Sequence, residues 1–277
     1  MKAKRFGRWA LLRRLTAFAF LGLLYVGSLE SVSWFRGTTT ATRLLEIVPF
    51  GDPLAALEVT LATREVAVDL LLGAGVLVVA TLLLGPFFCS WVCPLGLVLD
   101  LNQVVKNRVV KRWRRYRWMH LSLPRELRLA VLGGAFGFSL IGGLPLFQTV
   151  SPINIVAWAL VFGALLPLVV VAVIVVVEWF APRLWCRSLC PLGGLYSLLG
   201  RRALLRVKVA EEQVSRRRCR QCTLSCPMDI RVMEEEVVAC HSAVGDPDCT
   251  RCGACIDACP ERVLGFGVGE DTSERVR

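Results

Sequence analysis

Histidine is almost missing from this chain. Of 277 residues only two are histidine, His120 in a basic connection and His241 among C-terminal cysteines. A haem held between membrane segments by two histidines is therefore excluded, and no haem is expected. The sequence has no Gly-x-Gly-x-x-Gly, no phosphate loop and no Ser/His/Asp pattern, which leaves nucleotide binding and triad hydrolysis without support. Acids are few: 22 Asp and Glu stand against 33 Lys and Arg, a formal charge of +11. The polar, aliphatic-poor composition of a disordered chain is lacking too.

What the chain has in excess is apolar residues. They make up 55% of it, against about 45–50% in a soluble domain. Four stretches are long enough for a hydrocarbon core, which takes roughly 20 apolar residues. The first covers about residues 15–35, with Glu30 as its one charge; the second 66–84, with Asp69 near its start; the third 129–150, uncharged; the fourth 155–177, uncharged and followed by Glu178. Ser151-Pro152-Ile153-Asn154 separates the last two and reads as the tight turn of a helical hairpin. Lys2, Lys4, Arg5, Arg8, Arg13 and Arg14 precede the first run, as in a signal peptide. No small-residue cleavage site closes that run and more spans follow, so a retained helix is expected.

Basic residues near the spans set orientation. Residues 1–14 carry six, 102–128 carry nine and 182–218 carry nine, whereas 36–65 carry three and 151–154 none. This alternation suits four spans in the cytoplasmic membrane with both termini cytoplasmic. It accounts for the positive charge without a nucleic-acid partner. After Pro94, Leu97, Leu101, Val104, Val105, Val109 and Trp113 recur at helical spacing, with Lys106, Arg108, Lys111 and Arg112 off that face. A helix lying in the inner interface is expected there. Trp34, Trp179 and Trp185 suit an aromatic belt.

The chain repeats itself. Cys89-Ser-Trp-Val-Cys93-Pro94-Leu95-Gly96 matches Cys186-Arg-Ser-Leu-Cys190-Pro191-Leu192-Gly193 at an offset of 97 residues. Each copy follows an outside-to-inside span, and each half has a polar residue before proline in its outer loop, Asp52-Pro53 and Ser151-Pro152. Two hairpins of the same orientation imply parallel repeats about an axis along the membrane normal. Residues i and i+4 share a helical face, so the four thiols of Cys89, Cys93, Cys186 and Cys190 are expected to converge. They suit a further metal or iron–sulfur centre or a dithiol couple; small helix-end residues with proline opening the next helix are the bland alternative.

The other eight cysteines fall in the last 59 residues. Cys249-x2-Cys252-x2-Cys255-x3-Cys259-Pro260 has the spacing of a bacterial two-cluster ferredoxin, in which the fourth cysteine reaches the other cluster. A zinc ribbon uses paired Cys-x2-Cys units instead. The partner run is Cys219-x2-Cys222-x3-Cys226-Pro227, and the place of its first ligand is held by Arg216. Two [4Fe–4S] clusters are expected. Cluster II takes Cys249, Cys252, Cys255 and Cys226. Cluster I takes Cys219, Cys222 and Cys259, with Cys240 as the spare thiol for its fourth iron. If no fourth thiolate exists, a [3Fe–4S] centre or an empty site is the alternative.

The fold class expected is an all-α membrane protein, four transmembrane helices in two pseudo-repeated hairpins, with a C-terminal α+β dicluster ferredoxin-like domain. Its divisions are a basic cytoplasmic N-terminus at 1–14, the membrane domain at 15–200, a basic linker at 201–218 and the cluster domain at 219–277. Four spans, twin Cys-x3-Cys-Pro motifs and a two-cluster tail together resemble the NapH/NosR-type membrane ferredoxins, whose relatives include the oxidase assembly protein CcoG. The resemblance covers about residues 30–265. It implies an electron carrier in contact with membrane lipid, working between quinone or quinol and a redox protein or subunit of a larger complex. It also implies that the tail cysteines bind clusters and that Cys89, Cys93, Cys186 and Cys190 are the family's membrane motif. Arg216 departs from the pattern, and the large extracytoplasmic domain of the NosR branch is not present, so the compact NapH-like form fits better.

Whether the chain is itself a quinol dehydrogenase component is left open. Quinol oxidation needs a proton acceptor, and Glu178, at the inner end of the fourth stretch, is a weak catalytic candidate; the plain alternative is an interfacial acid paired with Arg183 or Arg187. Two other functions stay open on the residues: a copper reductase and assembly factor of the CcoG type, holding copper on its membrane thiols, and a non-catalytic anchor subunit.

Overall fold

The computed structural model describes residues 7–28, 35–37, 41–44, 48–64, 68–112, 124–162, 167–209, 219–238 and 242–269. The chain is mostly helical and divides into two compact units. One holds residues 1–16, 80–91 and 196–277; the other holds 17–79 and 92–195.

The cysteine tail belongs to the first unit. Strand β4 (Leu205–Val209) pairs antiparallel with β5 (Leu264–Val268), Val207 facing Phe266 and Val209 facing Leu264. Val207, Val209, Met228, Ile230, Val232, Val237, Val244, Val263 and Leu264 pack with Cys222 and Cys255 into one core. Two one-turn helices, α11 (Gln221–Ser225) and α12 (Ala254–Ala258), carry the cysteines; a π-helical turn spans Val232–Val237. The first turn of α1 (Arg8–Ser28) belongs here too, with the N–H groups of Trp9 and Ala10 donating to the carboxylate of Asp257. So does α4 (Phe88–Trp91), the turn that carries Cys89.

The second unit holds a feature the hydropathy pattern did not foretell: a three-stranded antiparallel sheet of β1 (Phe35–Gly37), β2 (Ala41–Leu44) and β3 (Val48–Gly51). Phe35 therefore lies in a strand and not at the end of the first span. Next comes α2 (Pro53–Thr63), opened by Asp52, whose side chain accepts the Leu54 N–H at 2.9 Å, with Pro53 at the first helical position. This is the arrangement in which proline's missing N–H costs nothing. Helix α2 packs against α6 (Leu127–Gly142).

The second apolar stretch is one helix, α3 (Val68–Leu84). The third is not. It splits after α6 at Gly143, which is left-handed at φ +63, and resumes as α7 (Leu146–Val150) after Pro145. A proline cannot donate into a preceding turn, so that uninterrupted apolar run still yields two helices. Pro152, Ile153 and Asn154 lie inside α8 (Pro152–Phe162), so Ser151 alone is extended where a four-residue turn was expected. In the fourth stretch α8 is described as far as Phe162 and α9 (Leu168–Phe180) begins after Pro167. Among the described residues only Arg8–Val26 is long and apolar enough to cross a membrane as one helix, by length and composition alone; α2, α3, α6 and α9 are shorter apolar helices.

Helix α5 (Pro94–Arg112) turns polar residues inward and part of its apolar face outward. Leu95, Leu97, Leu99, Asp100 and Lys106 are buried, while Leu101, Val105 and Val109 are exposed. Polar partners decide this. Asp100 accepts from the Arg183 guanidinium at 2.6 Å, Asn102 donates to Val175 O, and the Lys106 ammonium donates to Glu178 O at 3.2 Å. Lys106 is thus inside, away from the exposed Leu101, Val105 and Val109. Helix α10 (Pro191–Gly200) opens with the proline of the second motif.

Candidate metal centres

The two cysteine runs of the tail have one local shape, repeated at an offset of 33 residues. Arg220 and Gly253 are left-handed at φ 53 and 70 and open α11 and α12. Each helix ends in a cysteine before proline, Cys226 at φ −71, ψ 118 and Cys259 at φ −73, ψ 116. The following proline forbids the helical conformation there and swings the Cys-Pro thiol out of the turn. Asp229 and Arg262, three residues on, are both left-handed as well.

These turns sort the thiols. Cys226, Cys249, Cys252 and Cys255 line one small cavity together with Val207, Met228, Ile230, Val232 and Val244. Cys222 interacts electrostatically with Cys219 and Cys259, a second group. The groups adjoin, since Cys255 feels Cys222 as well as its own three partners. Burial pushes the thiols up, Cys226 to about 12 and Cys249 to about 11, so each enters the site as a neutral thiol and gives up a proton to bind metal. Among the described residues no three His, Cys, Asp or Glu side chains close around a single ion. In an iron–sulfur cage each thiolate takes its own iron, so four thiols spaced around an apolar cavity fit that group. Cys240, His241 and Arg216 lie outside the described residues, as do His120 and Trp34.

In the other unit, Cys93, Cys186 and Cys190 interact electrostatically with one another. The two motif halves are shaped unequally. Cys186 lies in a π-helical turn, Trp185–Leu189, and Cys190 caps it. Cys89 sits on α4 in the tail's unit. Arg183 is buried at φ 57 and interacts with Cys186. Its guanidinium holds Asp100, and its backbone N–H donates to Glu178 Oε2 at 2.8 Å. Glu178 is therefore buried and bound to the Arg183 main chain; the Arg183 guanidinium serves Asp100 instead. Trp179 donates to Asn102 at 2.9 Å in place of lying free in a belt. Asp100 had no sign in the sequence, and nothing in the spacing of single charges marks Asp100, Lys106 or Arg183 as inward-facing. Asp52 was visible as an Asp-Pro pair.

The comparisons bear on both groups. The 4Fe-4S binding domain family model matches residues 66–115 and 163–209, the two halves of the repeat, and the 4Fe-4S dicluster domain model matches residues 216–260. The ferredoxin-type protein NapH of Escherichia coli K12 is 32% identical over 93% of this chain and 88% of its own length. NapH of Haemophilus influenzae is 31% identical over 98% of this chain and 92% of its own. The methylamine utilization ferredoxin-type protein MauN of Methylorubrum extorquens is 30% identical over 92% of this chain and 75% of its own. The chain belongs to the NapH/MauN family of ferredoxin-type proteins. No solved structure matches it. As a NapH/MauN protein it is an iron–sulfur electron-transfer protein, and the four-thiol cavity is where its own residues suit a cluster best.

Proposed function

We propose that the chain is a membrane carrier that passes single electrons between the quinone pool and a partner redox protein. Cluster II would be held by Cys226, Cys249, Cys252 and Cys255. Cluster I would be held by Cys219, Cys222 and Cys259, with Cys240 as fourth ligand. The observation that carries this reading is one cavity lined by four thiols from two separate Cys runs, Cys252 and Cys255 buried and Cys226 and Cys249 half-buried, with a second thiol group beside it. Bound clusters supply one-electron steps; the protein supplies thiolates, an apolar jacket and a path short enough for transfer between neighbours.

Membrane residence is supported by the large aliphatic side chains left uncovered. Val68, Leu72, Val76, Val79 and Leu83 form a stripe along α3, and Val169, Val173, Val176 and Phe180 form one along α9. Stripes of this kind are uncommon on a water-soluble monomer. Four spans and cytoplasmic termini remain the arrangement that best suits the basic segments. The thiols of Cys93, Cys186 and Cys190, with Arg183 beside them, suit a further thiolate-bound centre; Cys89 joins that proposal on its Cys-x3-Cys spacing alone. The Glu178 carboxylate is the buried proton acceptor at hand for a quinol, with the Lys106 ammonium donating to its backbone carbonyl.

Iron and sulfide analysis with EPR on anaerobically purified protein tests this. Two cubanes predict about eight irons per chain, and about twelve with a centre in the repeat. About four irons would mean that the Arg216 gap is not filled. Reduction of the clusters by a quinol analogue is the expected result of the carrier reading; clusters that only dithionite reduces would overturn its quinone half.

A further inference from the structure

Arg251 lies between Cys249 and Cys252 and is only 3% exposed. All three of its nitrogens donate to backbone carbonyls. The guanidinium reaches Leu205 O at 3.2 Å, Gly200 O at 3.4 Å and Cys249 O. Gly200 is the last residue of α10, and Gly85 follows the last residue of α3. Gly85 is left-handed at φ +78, and a Cβ on it would stand 2.5 Å from Arg251 Nε. The side chain is therefore plugged between two helix C-terminal ends, where the partial negative charge of free carbonyls favours a cation. The titratable groups that reach it are the Cys249 thiol, Arg206 and Asp246, and the guanidinium makes its hydrogen bonds to backbone carbonyls and to no carboxylate.

The cluster I loop handles its cation differently. Arg220, between Cys219 and Cys222, is exposed and ion-paired to Glu234, which also accepts from Thr223 at 2.7 Å. One loop has its charge ion-paired in water; the other has it buried and hydrogen-bonded to backbone carbonyls. Charge and hydrogen bonding around an iron–sulfur cluster set its potential, and a charge in a low-dielectric interior acts more strongly than one in water.

We propose that Arg251 is a positioning residue that raises the reduction potential of cluster II. It does so by holding a fixed positive charge against the Cys249–Cys252 loop, where an added electron is stabilised. The same loop is bound to the Cys89-bearing turn: Ser90 Oγ donates to Thr250 O at 2.8 Å, and Trp91 Nε1 to Arg251 O at 3.1 Å. Cluster II is then the site that holds an electron beside the Cys89 turn.

The inference rests on the two-cluster assignment above, and iron content separates the two. The experiment is a potentiometric EPR titration of full-length wild type, Arg251→Gln and Arg251→Lys. With about eight irons retained, Arg251→Gln is expected to move the cluster II midpoint to more negative values and leave cluster I in place, and Arg251→Lys to restore most of the shift. An unchanged midpoint in Arg251→Gln, or Arg251→Lys falling as far as Arg251→Gln, overturns the proposal. If Arg251→Gln loses cluster II, the Lys variant decides: a loaded cluster near the wild-type midpoint supports the charge role, and loss in both variants assigns Arg251 to structure alone. Wild type lacking a second cluster would instead overturn the underlying assignment.

Discussion

Gly253 is left-handed at φ +70, and a Cβ there would lie 2.6 Å from the Cβ of Trp9. Gly253→Ala adds that contact to a left-handed strain of about 1–2 kcal/mol. Its thermal unfolding temperature should fall, and its cluster II signal should weaken because Gly253 opens the helix carrying Cys255. Arg220 has the same dihedral range at the cluster I loop with its side chain in solvent, so Arg220→Gly should leave unfolding nearly unchanged. The thiols give a pH prediction. Cys226 and Cys249, raised to about 12 and 11, are protonated at neutral pH, and each loses a proton on binding iron. Rising pH therefore favours loading, and reconstitution of iron-stripped protein should improve from pH 6 to pH 9 with measurable acid release. A flat profile would mean that the thiols are already thiolates. Seven of the tail cysteines were legible because their spacing is a covalent constraint: three residues per turn and a cysteine before proline leave little choice. Arg251 was not legible, since one arginine among 33 basic residues carries no mark of burial until its three carbonyl partners are in place.

At the scale of elements, the link between Asp257 and α1 is testable. The Asp257 carboxylate accepts from Ala10 N–H at 3.0 Å and from Trp9 N–H, two donors that a helix leaves unsatisfied at its start. Asp257→Ala should cost about 0.5–2 kcal/mol and Asn much less, as for other helix caps. Faster amide exchange at residues 9–12 in the Ala variant is the measurement; unchanged exchange would mean that water replaces the carboxylate at no cost. This contact was hidden in the sequence because 248 residues separate its ends. Element breaks were half legible. Asp52-Pro53 reads as part of an outer loop, whereas it caps and opens α2. Gly143 and Pro145 lay inside a run whose hydropathy hardly falls, and a hydropathy window sums residues without asking whether each one can donate to the turn before it. Helix α5 was legible in its periodicity, whereas the partners that Asp100, Asn102 and Lys106 find inside were not.

For the whole molecule the question is what covers its outward aliphatic surface. Val76 lies midway along α3 and Val173 midway along α9, both more than 40% exposed, and Leu224 on the tail is 83% exposed. In water the three are equivalent, and lysine at any of them would be neutral or would raise solubility. In a bilayer they separate. Lysine near the centre of a membrane helix costs about 2.5–3.5 kcal/mol, whereas a tail in the cytoplasm pays nothing for one. Val76→Lys and Val173→Lys should therefore lower the amount of protein recovered in alkali-washed membranes several-fold, and Leu224→Lys should leave it at the wild-type level. The iron content of whatever Val76→Lys protein does insert should stay near wild type, because the substitution lies outside the cysteine core. Equal recovery of all three variants would remove the membrane reading and with it the quinone pool as a partner. The electron-transfer assignment would stand, since it rests on the thiol cavity and the family and not on what surrounds the helices.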